Sequence, residues 1–135
     1  MEIINNKDYV NKAEDVIKEL IDEAKKTTRK RNYEDDILTT SQLRKQLSMT
    51  AELFSRAENE VSDTLSQELL DKIEYLRVQF VYQAGREQLV KKFIEKAGIL
   101  QILKSINGSR EDFLTYCRYM EALVAFRKYH VKKDS

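Results

Sequence analysis

The sequence predicts an all-α protein, a compact bundle of about five to six helices with no β-sheet. Three observations lead there. The 135 residues contain no Pro and only three Gly, at 85, 98 and 108, so little punctuates strands or long loops. Apolar residues recur at helical spacing in one segment after another. Charged residues make up 35%, above the usual quarter, so much of each helix must face water or a polar partner. The length suits one helical domain over 1–135, large enough to bury about two-thirds of its unfolded surface. Cys117 stands alone, which excludes a disulfide scaffold. No apolar run approaches a membrane span and the N-terminus has no signal-peptide pattern, so the expectation is a soluble, cytoplasmic protein without a membrane partner.

The elements follow in order. A first helix runs from about Asp8 to Lys30, with Val16, Ile17, Leu20, Ile21 and Ala24 on one face and Asn5 or Asn6 as its cap. The basic run Lys25, Lys26, Arg29, Lys30 and Arg31 suits its C-terminal dipole. Glu34, Asp35 and Asp36 then mark residues 32–38 as a solvated acidic linker. Thr39 with Gln42 has capping-box spacing and opens a second helix to about Glu60, with a core stripe of Leu43, Leu47, Thr50/Ala51, Phe54 and Ala57. Ser66 caps a third helix ending at Gly85. A fourth covers Arg86 to Ala97 and stops at Gly98, the residue that tolerates the left-handed conformation at helix ends. A short apolar piece, Ile99 to Ile106, ends at Asn107-Gly108. Ser109 and Asp112 start a last helix to about His130, which completes a helical body over 39–130 and leaves 131–135 as a tail.

The third helix is apolar on two sides. Leu69, Leu70, Ile73, Leu76, Phe80, Val81 and Ala84 form one face, and Tyr75, Val78 and Tyr82 lie nearly opposite. Such a helix is either central in a bundle or covered by a second subunit. Arg77 falls inside the main apolar face. A buried guanidinium must be paired, and Glu121 is the candidate partner in a structural ion pair. The last helix has its stripe at Phe113, Tyr116, Met120, Leu123 and Val124, with Arg127 at its end. Arg118, Ala122, Ala125 and Tyr129 line the other side, where two alanines admit another helix or a nucleic-acid backbone. Tyr75, Tyr82, Ala122, Ala125 and Tyr129 are thus the candidate interface residues.

A net charge of +1 conceals an asymmetry. Residues 1–75 carry 12 basic and 17 acidic groups, whereas residues 76–135 carry 12 basic and 6 acidic, which makes a polyanion partner possible for one face. Catalytic chemistry is hard to find. His130 is the sole histidine, no Cys/His cluster has zinc spacing, and no Gly-rich phosphate loop is present. Cys117 sits near the core side of its helix and reads as a small buried hydrophobe. Glu34, Asp35 and Asp36 lack the wider oxygen-ligand pattern of a calcium loop. No catalytic residue, metal or cofactor is expected. Arg and Tyr together suit either contact with a nucleic-acid backbone or a protein–protein interface, and both stay open at this point.

Three segments carry a family resemblance: Leu38-Thr39-Thr40-Ser41-Gln42-Leu43-Arg44, YLRVQFVYQAGRE at 75–87, and CRYMEALVAFRKY at 117–129. In that order, spanning about residues 36–130, they resemble the small α-helical subunit of type III-A CRISPR (Csm) effector complexes. The motifs are packing motifs and not catalytic ones. The tail departs from the family pattern, with His130, Val131, Lys132 and Lys133 where relatives carry glycines. The resemblance implies a non-catalytic subunit of an antiviral RNA-guided complex, stacked in several copies beside the backbone subunits and near the large subunit. Its partners would be copies of itself, those subunits, and the guide RNA–target RNA duplex, mainly the target strand. On matching positions the RNA contacts would fall to Arg44, Lys45, Arg86, Arg118 and Arg127, with Lys128 beside them. The alternative is a helical adaptor that bridges proteins without touching nucleic acid.

Overall fold

A computed structural model of the chain describes residues 4–27 and 32–131. Asn5 opens the first helix: its Oδ1 accepts from the N–H groups of Lys7 and Asp8 at 2.8 and 3.0 Å, and Asp8 Oδ1 accepts the Asn5 N–H at 2.9 Å. Helix α1 spans Tyr9–Thr27 and buries Ala13, Val16, Ile17, Leu20, Ile21 and Ala24. Lys25 and Lys26 occupy its last turn. Arg29, Lys30 and Arg31 of the basic run, and residues 132–135 of the tail, lie outside the described residues. In the segment expected as a solvated linker, Tyr33–Asp36 forms a 3-10 turn with no buried residue, but Ile37 and Leu38 are buried. The acidic turn therefore leads into an anchored apolar pair.

Helix α2 spans Thr40–Asn59 behind a complete capping box: Thr39 Oγ1 accepts from Gln42 N at 3.0 Å, and Gln42 Oε1 accepts from Thr39 N at 2.8 Å. Its core face is rotated from the expected stripe. Gln46 and Leu53 are buried with Leu43, Thr50 and Ala57, Leu47 and Phe54 are only half-buried, and Ala51 is exposed. Helix α3 covers Gln67–Arg86, with Ser66 Oγ accepting from Leu69 N at 3.3 Å. Helix α4 covers Gln88–Ala97 and α5 covers Ile99–Ser105. Gly98 joins them at φ 69°, a conformation that an L side chain resists, so two short helices can follow each other with only one residue between them. After Asn107 and Gly108, both at positive φ, Ser109 caps helix α6 over Arg110–His130 by accepting from Asp112 N at 3.2 Å.

The helices pack as an all-α bundle around one cluster of buried apolar side chains. Helix α6 lies against both α1 and α2. Helix α3 packs on α2, α4 and α5, and α4 closes back onto α1. The α2–α3 loop is tied to the turn before α6 by two backbone bonds of 2.9 Å, Leu65 N–H to the Gly108 carbonyl and Arg110 N–H to the Asp63 carbonyl. Helix α6 holds the central position, not α3. From Phe113 to Met120 only Arg118 is exposed. Inside, the Tyr119 hydroxyl donates to the Ala97 carbonyl at 2.8 Å, and the Tyr116 and Thr50 hydroxyls share a bond of 3.3 Å.

Candidate nucleic-acid interface

The capping box sets where α2 begins, and so places Arg44 and Lys45 in its second turn. Successive helical residues diverge by about 100°, and these two cations enter different grooves. Arg44 lines a groove of about 260 Å³ between α2 and α6, walled by Leu47, Val124 and Ala125, with Glu121 and Lys128 also on its lining. Lys45 lines a groove of about 490 Å³ between α2 and α3, with Met49, Tyr75, Val78 and Tyr82. Gln42 Nε2 donates to Glu87 Oε2 at 2.7 Å, which holds the start of α2 beside the end of α3. Arg86, one residue before Glu87, lies over the Tyr82 ring at 5.6 Å from its centroid. Arg44, Lys45, Arg86 and Lys128 therefore surround one end of α2.

The remaining candidates divide. Arg118 is exposed, in line with Glu121, Ala125 and Lys128 along one strip of α6, but ten residues before Lys128 and so about 15 Å away along the axis. Arg127 is no surface cation. It is 1% exposed, and its Nε donates to the Leu38 carbonyl at 3.2 Å. The reason is periodicity: Phe113, Tyr116, Met120, Leu123 and Arg127 follow one another at three- and four-residue steps, all buried, so Arg127 continues the core stripe. Its flexible stem packs among apolar neighbours while the guanidinium meets a backbone acceptor.

The expected Arg77–Glu121 pair is not formed. Arg77 is half-buried, and its Nη1 meets Glu74 Oε2 at 2.7 Å, one turn earlier on the same helix. It lines a cleft with Val78, Val81 and Leu100, whereas Glu121 is exposed in the α2–α6 groove. The i,i+3 spacing of Glu74 and Arg77 carried the correct answer in the sequence. Of the interface candidates, Tyr75, Tyr82 and Tyr129 are 63%, 61% and 80% exposed, with the Arg86 guanidinium over one face of the Tyr82 ring. Ala125 is exposed as well, while Ala122 is half-buried against the core. Tyr129 meets the His130 ring edge-on at 4.9 Å, and His130 Nε2 lies 2.8 Å from Glu14 Oε2, joining the end of α6 to α1.

Sequence reasoning missed Met49, Gln79 and Gln83 as lining residues of the α2–α3 groove. Met49 follows Lys45 by four, a spacing that could have found it. The long tie between Lys96 and Glu23 left no such signal, because the two residues lie on different helices. That contact holds the Lys96 ammonium above its ordinary pKa through the hydrogen bond to Glu23. Cys117 is buried, and desolvation pushes its thiol well above the ordinary range, so it carries no thiolate at neutral pH. Among the described residues, no group of three or more His, Cys, Asp or Glu side chains converges as a metal site, and no helix is long and apolar enough to cross a membrane.

The arrangement offers cations, tyrosines and grooves, which is binding chemistry. The family model for Csm2 Type III-A matches residues 14–133. A protein of Streptococcus thermophilus described as "CRISPR system Cms protein Csm2" is 48% identical over 134 residues, covering 99% of this chain and 100% of the relative. One of Mycobacterium tuberculosis (strain CDC 1551 / Oshkosh) with the same description is 47% identical over 127 residues, 94% of each chain. A third, of Enterococcus italicus, is 38% identical over 99 residues, 72% of this chain and 71% of the relative. With a bundle whose three resemblance motifs form the start of α2, the end of α3 and the body of α6, the chain belongs to the Csm2 family of type III-A CRISPR systems.

Proposed function

We propose that the chain is a non-catalytic small subunit of a type III-A CRISPR RNA-guided complex, acting as one helical domain in antiviral defence in the cytoplasm. Several copies stack along the backbone subunits, near the large subunit, and hold the guide RNA–target RNA duplex through its target strand. The observation that carries this reading is the gathering of Arg44, Lys45, Arg86 and Lys128 around one end of α2, on a chain of this family. Arg118 extends the same surface along α6.

The physics suits the role. Sequence selection is left to base pairing, so the protein needs only sequence-blind contacts with phosphate. Each copy binds weakly, and stacked copies gain by effective concentration. The isolated chain should therefore bind RNA weakly and lose that binding steeply between about 50 and 200 mM salt. The deciding experiment is ultraviolet crosslinking of a reconstituted complex carrying guide and target RNA, followed by peptide mapping. Crosslinks from α2, α3 and α6 to target RNA are expected. A complex that assembles normally but gives no crosslink to this chain would establish the protein-bridging adaptor instead.

A further inference from the structure

We infer that the α2–α3 groove binds a nucleotide with its base unpaired, the base stacking on the tyrosines and the phosphate meeting the cations beside them. This rests on the proposed RNA-contacting role and adds a ligand that phosphate contacts alone would not require. Tyr75 and Tyr82, seven residues apart on α3, present rings that are 63% and 61% exposed with Val78 between them. Opposite, α2 contributes Lys45 and Met49. Among the described residues no carboxylate lines the groove, and its volume of about 490 Å³ leaves room for a nucleotide. The Arg86 guanidinium covers one face of Tyr82, so the groove end combines a stacked cation with ring surface.

A duplex offers a protein its phosphates and base edges, but its base faces are already stacked on one another. The exposed Tyr75 ring and the Tyr82 face away from Arg86, beside two cations, match instead a strand whose bases are free, and such stacking is indifferent to sequence. Besides Lys45 and the tyrosines, the polar lining of the groove consists of two amides. Gln83, 9% exposed, lines the groove with Gln79. The other candidate occupant is the same groove of a second copy. Symmetric self-pairing there would bring Lys45 and Arg86 of both copies into one interface with no carboxylate among the described lining residues to offset them, so repulsion opposes it.

The test uses the full chain at low salt with a single-stranded oligoribonucleotide, the same strand with abasic positions, and a perfect RNA duplex. The chain has seven Tyr and no Trp, so stacking is read directly as quenching of tyrosine fluorescence. The intact strand should quench and should bind on the order of tenfold more tightly than the abasic strand and the duplex. Tyr75→Leu with Tyr82→Leu should remove that preference while leaving the melting temperature and the residual binding to duplex in place. Equal binding of intact and abasic strands would overturn the base site and leave the phosphate-contact reading standing. Failure of the wild-type chain to bind any of the three RNAs would overturn both. If the double substitution abolishes self-association in sedimentation and leaves RNA affinity unchanged, the groove belongs to a second copy and the inference fails.

Discussion

Helices α3 and α6 both carry family motifs and both end in arginine-containing turns, yet they use them in opposite ways. Along α6, Phe113, Leu114, Thr115, Tyr116, Cys117, Tyr119, Met120 and Leu123 are buried, so almost the whole circumference is core. Along α3, Leu69, Ile73, Leu76 and Phe80 face inward while Tyr75, Val78, Val81 and Tyr82 face out. The arginines follow suit. Arg127 is sealed against the Leu38 carbonyl, whereas Arg86 lies over an open tyrosine ring. Residue type and position near a helix end do not distinguish these two cations. What distinguishes them is what packs above them: α6 is flanked by α1 and α2, and α3 borders α2, α4 and α5 on one side with nothing on the other among the described residues.

The sharpest way to break this comparison lies within α3. Phe80→Ala should cost about 3–5 kcal/mol of stability, because it empties a fully buried site. Tyr82→Ala, two residues on, should change stability by about 0.5 kcal/mol or less, and urea denaturation of the two variants decides it. A large loss from Tyr82→Ala would mean that α3 has no free face.

Next come the arginines. Arg127→Ala should cost about 2–4 kcal/mol, since it opens a cavity and leaves the Leu38 carbonyl short of a donor. Arg86→Ala should leave the denaturation midpoint nearly unmoved and lower the salt slope of binding to single-stranded RNA by about 0.7. Equal destabilisation by both substitutions would erase the distinction between a core arginine and a surface one. A smaller effect tests the interior of α6: Tyr116→Phe removes the bond shared with Thr50 and should cost about 1 kcal/mol.

The smallest expected effect is on acid stability. Glu60 accepts the Ser66 hydroxyl at 2.7 Å and the Ser66 N–H at 2.9 Å, and these bonds hold its carboxyl below the ordinary range. A carboxyl lowered on folding contributes stability at neutral pH, and that contribution is lost as pH falls through the folded value. Glu60→Gln should therefore soften the acid limb of the stability profile slightly without touching α6. Denaturation midpoints measured across acidic pH, wild type against variant, will show it, and coincident profiles would refute the effect.

Much of the fold was legible because its signals are local. The capping box at Thr39 and Gln42, the serine caps at 66 and 109, and the left-handed glycine at 98 each depend on residues within four positions of one another. Helix boundaries followed from them to within a few residues. The face of α2 did not. An apolar stripe of Leu47 and Phe54 looks as good as one that includes Gln46 and Leu53, and the choice depends on two neighbours, α3 and α6, gripping the helix from different sides. The missed Lys96–Glu23 contact joins residues 73 positions apart and had no local trace.

The amino-acid sequence by itself determined that the chain is helical and, to within a few residues, where most of its helices start and stop, because backbone hydrogen bonding and capping act over a few residues. Its motifs also carried the family. Only the tertiary structure decided which helix is central and which arginine is core. It also decided that Arg44 and Lys45, adjacent in the chain, serve different grooves. Burial is a property of neighbours brought from afar, and hydrophobic packing rewards any arrangement that removes apolar area from water, whichever side of a helix supplies it. That leaves α3 with tyrosines facing outward and α6 with an arginine facing in, an exchange that composition and periodicity alone do not announce.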